Sequence, residues 1–83
     1  MKFTIAEYAE RINPFANLDV HTKAIDAKDI NEAKDIAEKT RRPDSIAVSV
    51  FFNNQTFATW ETDKGWIYDL GTPKENILEE FGL

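Results

Sequence analysis

The sequence contains no cysteine, three glycines, three prolines, one methionine and one histidine among 83 residues. Without cysteine there is no disulfide scaffold, no thiolate metal site and no thiol nucleophile. A single histidine, His21, excludes a site built on several imidazoles. So few glycines leave little for a phosphate-cradling loop, and no G-x-G-x-x-G, P-loop, H-E-x-x-H or EF-hand pattern occurs. No apolar run approaches the roughly 20 residues of a membrane span. The segment after Met1 has no signal-peptide core, so the expected location is cytoplasmic. Positive charge is also scarce: 10 Lys and Arg face 15 Asp and Glu, a net charge of −5. That balance argues against binding a phosphate backbone. No cofactor, no metal and no direct nucleic-acid binding is expected. A chain of this length fits one domain, residues 1–83, with a small core.

The charge is unevenly placed. Residues 1–42 carry eight acids and eight bases, whereas residues 43–83 carry seven acids against Lys64 and Lys74. The whole negative excess therefore belongs to the second half of the chain.

Three helix starts follow from capping chemistry. Thr4-Ile5-Ala6-Glu7 has the form of a capping box, which predicts a helix running to about Ile12 and ending before Pro14. Asp29-Ile30-Asn31-Glu32 has the same form. Ile30, Ala33, Ile36, Ala37 and Thr40 follow at helical spacing as one narrow apolar stripe. Thr72-Pro73-Lys74-Glu75 opens a third helix, with Ile77, Leu78 and Phe81 as its apolar edge. Four strands are expected around them. Asp19–Ile25 is one, and Ser45–Phe52, Thr56–Thr62 and Trp66–Leu70 form a meander. The expected fold is a two-layer α+β domain, its antiparallel sheet packed on the central helix with short helices at both ends.

Parity predicts the register. Three-residue loops at Asn53–Gln55 and Asp63–Gly65 oppose Val50 to Ala58, Val48 to Trp60, Thr62 to Trp66 and Trp60 to Tyr68. One face then collects Ile46, Val48, Val50, Phe52, Trp60, Trp66, Tyr68 and Leu70, and Glu61 is kept out of it. The other face gathers Phe51, Phe57 and Ile67 beside Glu61 and Asp69, with Asp63 in the adjoining turn. These six residues are the expected partner-binding site, an apolar anchor with an acidic rim; the alternative is that the first or last helix folds over this face.

Other candidates read as structural. His21 with Asp19 resembles half of an acid–base pair, but no nucleophile with motif spacing accompanies it, and a surface histidine is the simpler reading. Lys39, Arg41 and Arg42 fit the basic end of the central helix. Trp60, Trp66 and Tyr68 could stack bases, yet Lys64 is the one basic residue among them in sequence, so they read as core. Asn54-Gln55-Thr56 has a glycosylation pattern but belongs to a turn. No catalytic residue is assigned.

From Val20 to Leu70 a strand ending His21-Thr22-Lys23-Ala24 precedes a helix holding Glu32-Ala33-Lys34-Asp35-Ile36-Ala37. A strand, an asparagine turn, another strand and Lys64-Gly65-Trp66 follow. This layout resembles small phage and prophage accessory proteins of β-α-β-β-β type, some of them anti-CRISPR inhibitors of type I systems. The resemblance implies a non-enzymatic protein that binds and blocks a host protein or complex. The helices at either end depart from that layout, and no functional residue is carried over. The expected function is thus an acidic protein-binding module, phage-encoded, that occludes a basic site on a host protein such as one that binds nucleic acid, in the manner of a DNA mimic. The alternatives are a homodimeric interaction module and, further off, a small enzyme or ligand-binding protein.

Overall fold

The computed structural model describes residues 1–9 and 19–73. Its elements are β1 (Lys2–Ala9), β2 (Asp19–Asp26), α1 (Ile30–Thr40), β3 (Ser45–Phe52), β4 (Gln55–Glu61) and β5 (Gly65–Asp69). All strand pairs are antiparallel, in the order β2-β1-β3-β4-β5. The architecture is α+β, a five-stranded sheet with one helix on one face.

The expected N-terminal helix is instead β1, so the sheet has five strands rather than four. The reason is alternation at period two. Phe3, Ile5, Glu7 and Ala9 are all buried, while Thr4 is exposed and Tyr8 half-buried. Glu7 interrupts the apolar pattern at an inward position, and that made the segment look like a capped helix. The expected C-terminal helix, with Ile77, Leu78 and Phe81, lies outside the described residues.

α1 starts as its capping chemistry predicts. Asp29 is extended (φ −158°, ψ 178°) and its carboxylate accepts the Glu32 amide at 2.8 Å. Ile30, Ala33 and Ala37 are buried and Ile36 packs beside them. With two alanines on this stripe the helix lies close to the sheet. There it meets Phe3 and Ile5 of β1, Val48 and Val50 of β3, and Ala58 of β4.

Both meander hairpins differ from the expected register, each for a local reason. The first loop has two residues, Asn53 and Asn54, with φ of 50° and 65°, and Phe52 opposes Gln55. Two left-handed residues make the type I′ turn that matches strand twist, and asparagine tolerates it well. A bulge then absorbs one residue, so Val50 still opposes Ala58 and Val48 opposes Trp60. In the second hairpin the loop begins at Thr62. Its amide donates to the Ile46 carbonyl and its hydroxyl to the Ser45 carbonyl, both at 3.0 Å. Thr62 is thereby held on β3 and does not oppose Trp66. Glu61 pairs with Gly65 and Trp60 with Trp66. A bulge that leaves Ile67 unpaired then sets Thr59 against Tyr68.

Candidate functional site

The two bulges redistribute the residues expected to form one binding face. Phe57 is the extra residue of β4. It turns to the helix side, where its ring meets Phe52 edge-on at 6.1 Å between centroids. Asp69 pairs with Ala58 and also lies on the helix side, bound to Lys34 of α1. Phe51 and Glu61 remain on the face away from α1, both half-buried, and Glu61 is held by Lys64 at 3.3 Å. Asp63 is exposed in the turn at φ 70°. Ile67 is 51% exposed at the bulge of β5. The structure therefore places Glu61 and Asp63 at the tip of the β4–β5 hairpin with Ile67 in the middle of β5, keeps Phe51 on the face away from α1, and separates Phe57 and Asp69 from them.

Tyr68 and Leu70 were missed as surface residues because the expected register assigned both to the core face. Tyr68 is 43% exposed and Leu70 51% exposed. With Ile67 they are three of the five large exposed hydrophobic residues among the described residues. The other two, Val20 and Ile46, lie on other strands. Thr62, with Ser45 and Ile46 as its acceptors, sets the length of the loop, and the one-residue step at Ile67 then turns Tyr68 away from the helix side.

The helix side of the same hairpin is polar and interlocked. The Arg41 guanidinium lies over the Trp60 ring at 4.4 Å and the Lys34 ammonium over Trp66 at 5.2 Å. The Trp66 indole N–H donates to Glu38. Lys34 and the Gly71 amide hold the Asp69 carboxyl below its ordinary range. In sequence only Lys64 of the turn lies among these aromatics, whereas in the fold Lys34 of α1 and Arg41, just after the helix, lie against them. The other basic residues near the helix end are engaged as well. Lys39 pairs with Asp35 at 2.8 Å, and Arg42 lies near Glu7 and Asp44 at 3.6 and 3.9 Å.

A second polar cluster joins β1 to the start of β3. The Glu7 carboxylate is 7% exposed and accepts hydrogen bonds from the Ser45 hydroxyl and the Arg42 amide. Burial pushes this carboxyl up. The two hydrogen bonds and the charges of Arg42 and Lys23 outweigh burial, so the group titrates below its usual 4.5. His21 stands opposite Glu7 in the β1–β2 ladder and is exposed. Serine, carboxylate and histidine thus share one region, yet Ser45 is 4% exposed and its hydroxyl is committed to Glu7. A buried hydroxyl of this kind cannot meet a substrate carbonyl.

No helix among the described residues is long and apolar enough to cross a membrane. No group of three or more histidines or acids among them is placed to hold a metal. A depression of about 230 Å³ lined by Lys2, Ala24, Ile25 and Asp26 lies open at the outer end of β1 and β2. Neither a family model nor a curated protein nor a solved structure matches this chain.

Proposed function

We propose that the protein is a non-enzymatic protein-binding module whose contact surface is the outer part of the β4–β5 hairpin. The observation that carries this reading is the concentration of Ile67, Tyr68 and Leu70, all largely exposed, on and just after an edge strand. Exposed aromatic and aliphatic side chains grouped in this way supply the apolar anchor of an interface. Glu61 and Asp63 at the hairpin tip outnumber their one cation, Lys64, and the chain as a whole carries −5. A partner with a basic rim is therefore favoured in approach and orientation. Such a protein acts by occupying its partner's basic site, as the resemblance to phage inhibitors implies.

The double substitution Ile67→Lys with Tyr68→Lys tests the surface. Both side chains are largely solvated, so the fold is expected to survive, as circular dichroism and thermal unfolding would register. Tagged wild-type protein, this variant and a Val20→Lys control on the opposite edge are each used to capture proteins from a candidate host lysate. The β5 variant is expected to lose the proteins that wild type and control retain. The same proteins retained by all three would remove this surface from consideration.

A further inference from the structure

Resting on that reading, we infer that β5 takes its partner by strand addition: an extended basic segment of another protein pairs antiparallel with the free edge and becomes a sixth strand. Among the described residues β5 has β4 as its one neighbour in the sheet. An edge strand offers a row of backbone donors and acceptors that a peptide can match.

The two edges of the sheet are built differently. β2 places Lys23 in mid-strand with His21 beside it, and both are exposed. A lysine on an edge is a common guard against pairing. β5 reads Gly65-Trp66-Ile67-Tyr68-Asp69, with neither lysine nor proline and with three residues of high strand preference. Among the described residues β5 thus lacks the guard that β2 carries.

The bulge selects which kind of strand can enter. Trp66 points to the helix side and Tyr68 to the open side, because the register steps by one residue at Ile67. Directly opposed residues of an antiparallel pair must share a face. A second copy paired about Ile67 sets Trp66 against Tyr68 of its mate, which lie on opposite faces. Pairing about Trp66 instead requires the turn residues Asp63 and Lys64 to extend the strand, although Asp63 is held at φ 70°. A foreign strand carries no such phase constraint, and a short one need cover the strand on only one side of the bulge. Its direction follows from charge. The tip acids Glu61 and Asp63 lie at the N-terminal end of β5, so an antiparallel partner brings its C-terminal end to them. Cations are expected at that end.

The test uses a synthetic peptide of about eight alternating valines and threonines with two lysines at its C-terminus. Companion peptides carry the lysines at the N-terminus or are N-methylated on alternate residues in either phase. Binding to isotope-labelled protein is followed by amide chemical shift and hydrogen exchange. New protection is expected at Trp66–Asp69 with none on β2. N-methylation in one phase alone should weaken binding by about tenfold, as the loss of one or two hydrogen bonds implies. The N-terminal-lysine peptide should bind more weakly than its parent. Equal binding of both methylated forms, no binding, shifts confined to the face around Phe51, or dimerisation of the free protein through β5 overturns strand addition. If any of these occurs while Ile67→Lys with Tyr68→Lys still abolishes capture from lysate, the protein-binding surface stands and only the strand mode falls.

Discussion

Replacing Glu7 by alanine removes a side chain that ties β1 to the turn between α1 and β3. The carboxylate accepts from the Ser45 hydroxyl and from the Arg42 amide, and the Arg42 Nε lies 3.6 Å from the same oxygen. Ser45 is 4% exposed, so water does not readily replace the lost acceptor. A buried donor left without a partner costs about 1–3 kcal/mol. Two donors, partly relieved by rearrangement of the turn, put the expected loss at about 2–4 kcal/mol. A chain of this size has a total stability on the order of 4–12 kcal/mol, so the variant is expected to be markedly less stable, with part of it unfolded at room temperature if the total is near the low end. Glu7→Gln keeps an acceptor for Ser45 and loses only the charge facing Arg42, and about 1–2 kcal/mol is expected. Urea unfolding followed by the emission of Trp60 and Trp66 reads both values. The sign of the pH dependence follows from the lowered carboxyl. Folding favours the ionised form, so the contribution is complete above 4.5 and drains away as pH falls through the lower folded-state value. Asp69, also lowered, acts in the same direction, and the difference between wild type and Glu7→Gln isolates Glu7. A loss below about 0.5 kcal/mol for Glu7→Ala, within the range of ordinary surface substitutions, would refute this account. So would parallel stability curves for wild type and Glu7→Gln below pH 4.5.

Asp29→Ala removes the cap of α1 and is expected to cost about 1 kcal/mol in the same urea assay, with the Asp29→Ser variant close to wild type. At the first hairpin, Asn53→Val is expected to cost about 1–2 kcal/mol because a branched side chain disfavours a positive φ. Asn54→Gly is expected to be neutral or slightly stabilising in thermal unfolding. Equal effects of these two turn substitutions would argue against a type I′ turn.

The legible part of the fold was the part with strong local chemistry. The Asp29 cap and the Ile30–Thr40 stripe specify α1 without help from the rest of the chain, and unbroken β-prone residues specify β3. The pairing of Val48 and Val50 with Trp60 and Ala58 was also legible, even though the loop between the strands is one residue shorter than expected. What could not be read locally was decided by distant partners. Glu7 belongs in a strand because Ser45 and Arg42, nearly forty positions on, supply its hydrogen bonds. Thr62 leaves the β4–β5 pairing because β3 carbonyls take its donors. The bulge at Ile67 that follows turns Tyr68 outward and Asp69 toward the helix, and the bulge at Phe57 moves that residue off the expected face as well. The candidate surface therefore moved from the sheet face to the hairpin edge while keeping Ile67, Glu61 and Asp63.

The same long-range pairing changes what the charge means. The acids of the second half suggested an array of free carboxylates that mimics a polyanion. In the folded chain Lys34 of α1 and Arg41 just after it lie across the meander, and Lys34 neutralises Asp69 on the helix side. Glu61 keeps Lys64, and Asp44 lies within 3.9 Å of Arg42. A continuous acidic face is therefore absent from this part of the sheet among the described residues. The cations are engaged too, so a polyanion approaching the helix side has to draw Arg41 from Trp60 or Lys34 from Asp69 before it gains a contact. For the proposed protein-binding surface this leaves a modest acidic tip to orient a partner, with Ile67, Tyr68, Leu70 and the backbone of β5 as the groups expected to supply most of the contact free energy.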